Sequence, residues 1–391
     1  MISISKLGGS ASAASYYDKA DYYTKGEDSV DVSSRFTGGL AKEFDLDGPV
    51  DKKVFKELLD GKMPNGQKLG TMRNGKKEHT PGWDLTLSAP KSVSILALVG
   101  GDKSVLKAHH EAVGKALEYV EKEALKGRMN TSFYKGNIDL DKALFAQFTH
   151  TTSRKLDPQL HTHSVLVNAG MDKSGELRSI DSRRFYEASM LTGQIYRNEL
   201  ASSLKKLGYA VEWDAKSGLF EVAGVSKELI DNFSKRRVEI TEIAKELGIE
   251  GAKGLDAVTV ASRETKQDVD SKDVIRSWDE QTKSMDLDPD KLVQEAKQKG
   301  KDHDKPSWGA YIKEKFIPHS TLDQTVQDAV SQLAHYESAF DKKDVLIQAL
   351  RFGGGRYSYS DINKTLNSFI KNKSILSSKS VDGMLTTPEI V

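Results

Sequence analysis

Residues 144–168 read LFAQFTHTTSRKLDPQLHTHSVLVN, and the fold turns on this stretch. Leu144, Ala146 and Phe148 alternate with Phe145, Gln147 and Thr149. Leu160, Thr162, Ser164 and Leu166 alternate with His161, His163, Val165 and Val167. Period-two alternation on either side of a central Asp157-Pro158 turn signal predicts two strands and a loop. Residues two apart on a strand share a face, so His161 and His163 project to one side. His150 ends the partner strand just before the loop, and the three imidazoles converge. Three neutral imidazoles that leave coordination positions open suit a divalent metal that must also hold a substrate. A lone histidine here would read as a polar surface residue; His-x-His with a third histidine closing the same hairpin favours the metal.

The chain has 391 residues, 37% of them hydrophobic, enough for one large domain with an added module or for two domains. No run of about eighteen apolar residues occurs and no signal-peptide pattern opens the chain, so a soluble protein without a cleaved export signal is expected. Cysteine is absent, which excludes disulfides and thiolate metal sites and fits a reducing compartment. The net charge is only +1, with 29% of residues charged. Any phosphate-binding surface must therefore be local.

Met1–Leu7 alternates as a short strand, broken by Gly8-Gly9. Residues 11–23 then carry Tyr16, Tyr17, Tyr22 and Tyr23 on a segment whose small residues favour helix. Tyrosine is ordinary core material, but Asp18, Lys19, Asp21 and Lys25 around these phenols do not make an apolar stripe, which favours a functional cluster. A short helix is expected over 51–59. Gly70–Lys77 approaches a phosphate-binding loop, but Lys77 stands where Ser or Thr would ligate magnesium and no apolar strand precedes it, so a polar turn is expected. In residues 82–88, Asp84, Thr86 and Ser88 share the polar face of a strand, and Asp84 suits the role of accepting a ligand histidine's second N–H. Val105–Leu125 is an amphipathic helix; His109 and His110 within it are expected at its surface or boundary. Helices over 185–207 and 226–247 flank a hairpin at 209–222. Lys235-Arg236-Arg237 is expected on a solvated face, or, where it nears a DNA groove, as a phosphate contact. Lys297–Lys305 reads as a linker. Helices follow at 321–336, 343–350 and 360–370, and the residues from Leu385 onward lack a structural finish, as in a truncated chain.

A tyrosine phenol has an unperturbed pKa of about 10 and is a poor nucleophile at neutral pH. Beside a metal-held phosphate it becomes a workable one. Its product, a phosphotyrosine diester, conserves the broken bond's energy for later rejoining. A histidine-held metal beside a tyrosine cluster therefore points to a nickase that reseals.

The residues carrying this chemistry resemble conjugative relaxases of the TraI/TrwC type, within the histidine–hydrophobic–histidine endonucleases. Ala14-Ser15-Tyr16-Tyr17 with Tyr22-Tyr23 is similar to the family's paired-tyrosine motif. Residues 83–94, WDLTLSAPKSVS, resemble the motif carrying its aspartate. His150 with Asp157-Pro158-Gln159-Leu160-His161-Thr162-His163 resembles its metal triad, with Thr162 departing from the hydrophobic residue in the family's name. The resemblance covers roughly residues 1–300. It implies an α+β fold, with a central antiparallel sheet flanked by helices and a helical extension gripping DNA. Residues 301–391 would be a linker and a small helical module, resembling the segment that joins a relaxase to a following helicase; with no Walker A motif, no helicase activity is expected of this chain. The resemblance implies nicking of the transfer strand at the plasmid origin of transfer, with Tyr16 as nucleophile and Tyr22 for the second strand transfer. The neighbours Tyr17 and Tyr23 remain alternative attackers. His150, His161 and His163 would hold magnesium or manganese, and Asp84 would orient a histidine and assist deprotonation of Tyr16. Arg154 and Lys91 would contact phosphates. Implied partners are single-stranded DNA with the hairpin of the transfer origin, accessory relaxosome proteins, and the coupling protein of a type IV secretion system. The implied location is the bacterial cytoplasm, with delivery into the recipient and no membrane insertion. Competing readings are a rolling-circle replication initiator, a zinc hydrolase using metal-bound water, and a non-enzymatic DNA-binding module.

Overall fold

The computed structural model describes residues 2–10, 13, 34–46, 48–130, 133–262, 269–303, 321–378 and 381–389. Of the expected helix at 11–23 only Ala13 is described; its tyrosines, Tyr16 and Tyr22 included, lie outside the described residues.

Five strands build the main sheet: β1 (Ile2–Lys6), β2 (Ser34–Thr37), β3 (Gly82–Ser88), β4 (Lys142–Thr152) and β5 (Pro158–Met171). They pair antiparallel in the order β1-β3-β5-β4-β2, with a short strand at Leu177–Arg178 pairing the end of β5. The alternation read from the sequence sets the register, which puts His150 opposite His161 and Thr86 opposite His163. Gly82 lets β3 lie close against β5, since a Cβ there would meet the Leu166 carbonyl oxygen at 2.2 Å.

The sheet separates two cores. The flanking helices are α1 (Lys52–Leu59), α2 (Lys91–Leu98), α3 (Lys103–Glu123) and α4 (Ser189–Lys206). Leu85, Leu87, Phe145, Leu160 and Leu166 turn toward α2, α3 and α4 in the larger core. Leu144, Ala146, Phe148, Val165 and Val167 turn to the other side, against Phe55, Leu58 and Leu59 of α1. Phe55 tilts over Phe148 with ring centroids 5.3 Å apart. Ala13 is buried in this smaller core. By strand alternation the three histidines belong to the same side.

Asp51 caps α1 and Asp102 caps α3, each accepting a backbone N–H at 2.8 Å. The Gly70–Lys77 stretch is a hairpin whose turn, Asn74-Gly75, takes positive φ at both residues. After α4, β6 (Val211–Asp214) and β7 (Leu219–Val222) pair as a hairpin. Helices at Lys227–Asn232, Lys235–Glu246 and Gly251–Ala261 lead to α5 (Ser271–Lys283) and α6 (Leu292–His303). The expected linker from Lys297 is thus helical to His303. Ala296 is fully buried, and the Lys297 ammonium bonds Asp102 at 3.1 Å and lies over the Tyr209 ring. Tertiary anchoring overrides the polar composition. Arg236 is likewise no solvated cation: it donates to the Thr259 and Ser262 carbonyls.

The last described segment holds α7 (Leu322–Tyr336), β8 (Phe340–Asp341), α8 (Lys342–Gly353), α9 (Tyr359–Lys371), β9 (Leu376–Ser377) and β10 (Met384–Thr386). The stretch expected to lack structure around Leu385 is therefore the central strand of a sheet ordered β8-β10-β9. Asn198 of α4 fixes this segment, donating to the Tyr357 carbonyl at 2.8 Å and accepting from Gly355 N–H at 3.0 Å. Among the described residues no helix is long and apolar enough to cross a membrane.

Candidate metal centre

β4 and β5 bring His150, His161 and His163 together, as the sequence spacing predicts. One ligating nitrogen from each ring lies within 4.8 Å of the others. Ring centroids stand 5.2 Å apart for His150–His161, 4.7 Å for His150–His163 and 5.2 Å for His161–His163. His150 and His163 are buried while His161 is half-buried, so the cluster opens on the His161 side.

Neighbouring groups aim two of the rings. The His163 Nδ1–H donates to Asp84 Oδ2 at 2.7 Å, and Thr86 Oγ1 sits 3.0 Å from the same nitrogen while donating to Asp84 Oδ1 at 3.2 Å. The His161 Nδ1–H donates to the Gln159 carbonyl at 2.8 Å. Both bonds leave Nε2 as the lone-pair nitrogen. For these two rings this is the donor arrangement a divalent ion favours: an imidazole whose second nitrogen is held by a carboxylate or carbonyl. The residues present fit a metal.

The other face of the same strand is also polar. Thr162, between the two histidines, is fully buried and bonds His109 Nε2 at 2.8 Å and Thr149 Oγ1 at 3.1 Å. His109 in turn meets the Tyr196 hydroxyl at 2.7 Å, and His110 meets Thr149 at 3.1 Å. The expectation of a surface or boundary position is wrong for His109, which is fully buried. It stands four residues after Val105 and four before Val113, on the apolar stripe of α3. Its stripe position was readable; its partners were not. Burial holds the His109 imidazolium well below its ordinary value, and His110 is lowered to about 4 by burial and then by Arg35.

The hairpin tip is clasped from a distance. Ser153 N–H bonds the Asp157 carbonyl at 2.9 Å, and Leu156 sits in left-handed backbone at φ 60°. Trp278 of α5 donates its indole N–H to the Leu156 carbonyl at 2.7 Å, and Lys235 N–H donates to Asp157 Oδ2 at 3.0 Å. Arg154 lies in this tip. Lys91 donates to the Pro158 carbonyl at 2.9 Å, and burial lowers its ammonium to about 8 against the pull of Asp157 and Glu221. The structure gives Lys91 a bracing contact at the start of β5. Nothing in the sequence near Trp278 marks it for this role, and Lys235 stands out there only as part of a basic cluster.

Residues 10–285 match the TrwC relaxase family model. The chain is 35% identical over 298 residues to the Multifunctional conjugation protein TraI of Escherichia coli (strain K12), covering 74% of this chain and 16% of that protein. A second Escherichia coli TraI is 36% identical over the same share. The chain thus spans a small fraction of the curated relatives it matches. Among solved structures it is similar to the conjugative relaxase TrwC in complex with oriT DNA. The metal-free form is 34% identical with a TM-score of 0.65, covering 74% of this chain and all of that one. The metal-bound form gives 34% and 0.66 over the same shares. With the family model, the relatives and the fold in agreement, this chain belongs to the TrwC relaxase family.

Proposed function

We propose that the chain is a conjugative DNA relaxase that nicks one strand of plasmid DNA at the origin of transfer and later rejoins it. The observation that carries this reading is the oriented histidine triad. His161 and His163 present Nε2 because Gln159 and Asp84 hold Nδ1. His150, His161 and His163 hold a divalent ion, magnesium or manganese. When bound, it neutralises charge on the scissile phosphate's oxygens. Tyr16 is the attacking phenol. Its oxygen forms a bond to phosphorus, the bond from phosphorus to the 3′ oxygen breaks, and the 5′ phosphate stays on the tyrosine. Tyr22 serves the second strand transfer. Burial of Ala13 in the core on the histidine side supports this assignment, since Tyr16 follows three residues later. Asp84 holds His163 in register and assists loss of the phenolic proton. Arg154, at the hairpin tip, contacts phosphate.

Residues 1–300 would form the strand-transferase domain and residues 301–391 a linker and small helical module. The substrate is single-stranded DNA leading from the hairpin of the transfer origin. Accessory relaxosome proteins and the coupling protein of a type IV secretion system are the expected partners. The protein works in the bacterial cytoplasm and travels with the DNA into the recipient.

Incubation with a single-stranded oligonucleotide spanning the cognate nick site and magnesium, followed by a denaturing gel, tests the reading. A detergent-resistant protein–DNA adduct that vanishes in Tyr16→Phe is expected. Released DNA without an adduct would point instead to water as the nucleophile. Full activity in Tyr16→Phe would move the attack to Tyr17 or elsewhere.

A further inference from the structure

The segment from α7 to β10 runs helix, strand, helix, helix, strand, strand, and its sheet is ordered β8-β10-β9 with antiparallel pairing. That is the topology of a winged helix. α8 and α9 form a helix-turn-helix pair whose turn holds Gly354 and Gly355 at φ 53° and 77°. β9 and β10 form the wing hairpin, joined through residues 378–383. Val330, Phe340, Leu346, Leu350, Ile362 and Leu385 are buried within it.

Its charge is unevenly spread. Residues 356–379, the second helix of the pair and the start of the wing, carry five basic residues and one acidic. Residues 321–354 carry three basic and five acidic. On α9, Ile362 and Leu366 face the interior, while Lys364, Asn367 and Lys371 line the exposed side at helical spacing. Lys364, Lys371 and the following Lys373 are exposed and make no ion pair among the described residues. The contrast with α3 is direct: Lys107, Lys115 and Lys122 there each meet a glutamate three or four residues away. A run of unneutralised lysines on a helix-turn-helix face is the electrostatic footprint of a nucleic-acid surface.

The docking of the segment decides how DNA would be met. A helix-turn-helix reads bases with the first residues of its second helix. Here that end is taken. Tyr359 packs edge-on against Tyr119 of α3 at 5.2 Å, and its N–H bonds Glu199 of α4 at 3.4 Å. Beyond it a cleft of about 380 Å³ between α3 and α9 is lined by Glu118, Glu123, Glu199, Asn363 and Lys364 among others, and past it the last turn of α9, with Asn367 and Lys371, is exposed. Lysines at this end of the helix reach phosphates but not base edges.

We propose that residues 321–386 are a winged helix that binds duplex DNA through its phosphates, independently of base sequence, with Lys364, Lys371 and Lys373 as contacts. This second binding surface does not rest on the nicking chemistry, and its test needs no cleavage. Anisotropy of a fluorescent 30-base-pair blunt duplex of arbitrary sequence is titrated with the full chain at several salt concentrations, without divalent metal. The triple charge reversal Lys364→Glu, Lys371→Glu, Lys373→Glu is compared with an equal reversal elsewhere, Lys173→Glu, Lys216→Glu, Lys227→Glu. The α9 variant is expected to weaken duplex binding about tenfold or more and to lower the salt slope by about three. The control should change binding less than about threefold. A triple Lys→Gln variant with an unchanged melting temperature repeats the measurement should the reversal disturb folding. Equal losses in the two triple variants, wild-type binding in the α9 variants, or no duplex binding by the wild type at low salt would each overturn the proposal. So would a loss confined to a single-stranded 30-mer.

Discussion

Consecutive residues of β5 meet opposite demands. Thr162 turns into the larger core, where it is fully buried and hydrogen-bonded to His109 and Thr149. His161 and His163, on either side of it, turn to the smaller core and aim one nitrogen each toward a shared point. Among the described residues, the side with the histidines packs against α1, while the other side is backed by α2, α3 and α4. Polar groups occur on both, but with different consequences. A buried hydroxyl between two partners adds rigidity; an imidazole held at one nitrogen is preorganised for a ligand at the other.

The sharpest way to break this division is on the metal side. His161→Ala should abolish cleavage and lower metal affinity by orders of magnitude. Asp84→Ala, which leaves all three ligands in place, should cost about 10–100-fold in metal affinity. Isothermal titration with manganese reads both, and an unchanged affinity in Asp84→Ala would remove its orienting role. The larger-core side should respond in the other currency. Thr162→Val strands His109 Nε2 and should destabilise the fold by about 1–3 kcal/mol, seen as a lower melting temperature, while metal affinity stays within about threefold. A large affinity loss without destabilisation would show that the two sides are not separable. The smallest effect is on pH. His109 and His110 titrate near 6.5 when unfolded, and burial lowers both in the fold, His110 to about 4. The unfolded chain therefore takes up protons first. Stability is complete above about pH 6.5 and drains away as pH falls from there toward 4. Melting temperatures across this range should fall less steeply in His110→Gln.

Much of this was legible in the chain. Alternation gave the two strands of the hairpin, and their pairing brought the triad together. The alternation of residues 82–88 put Asp84 on the side where His163 needs an acceptor. Where the structure departs from these patterns, the causes are physical. His109 and His110, as adjacent helical residues, face different ways; that places one of them off the apolar stripe but not both, and position 109 satisfies the stripe's spacing. Lys297–Lys305 reads as a linker because its composition is charged, yet buried Ala296 and the bond from Lys297 to Asp102 anchor a helix that runs to His303. The sheet of the winged helix was invisible because strands of two and three residues leave no measurable period. The clasp on the hairpin tip pairs residues far apart in the chain, and nothing near Leu156 announces it.

That clasp has a consequence for synthesis. The Trp278 indole reaches back across 122 positions to the Leu156 carbonyl. The hairpin's own hydrogen bonds can form as soon as β5 has emerged from the ribosome, but its strained tip gains this support only after α5 has been translated. Ordering of the loop beside the histidines should thus lag the sheet during chain growth, and a ribosome-stalled chain ending before residue 278 should show its histidine strands paired and their connecting bend still open to proteases.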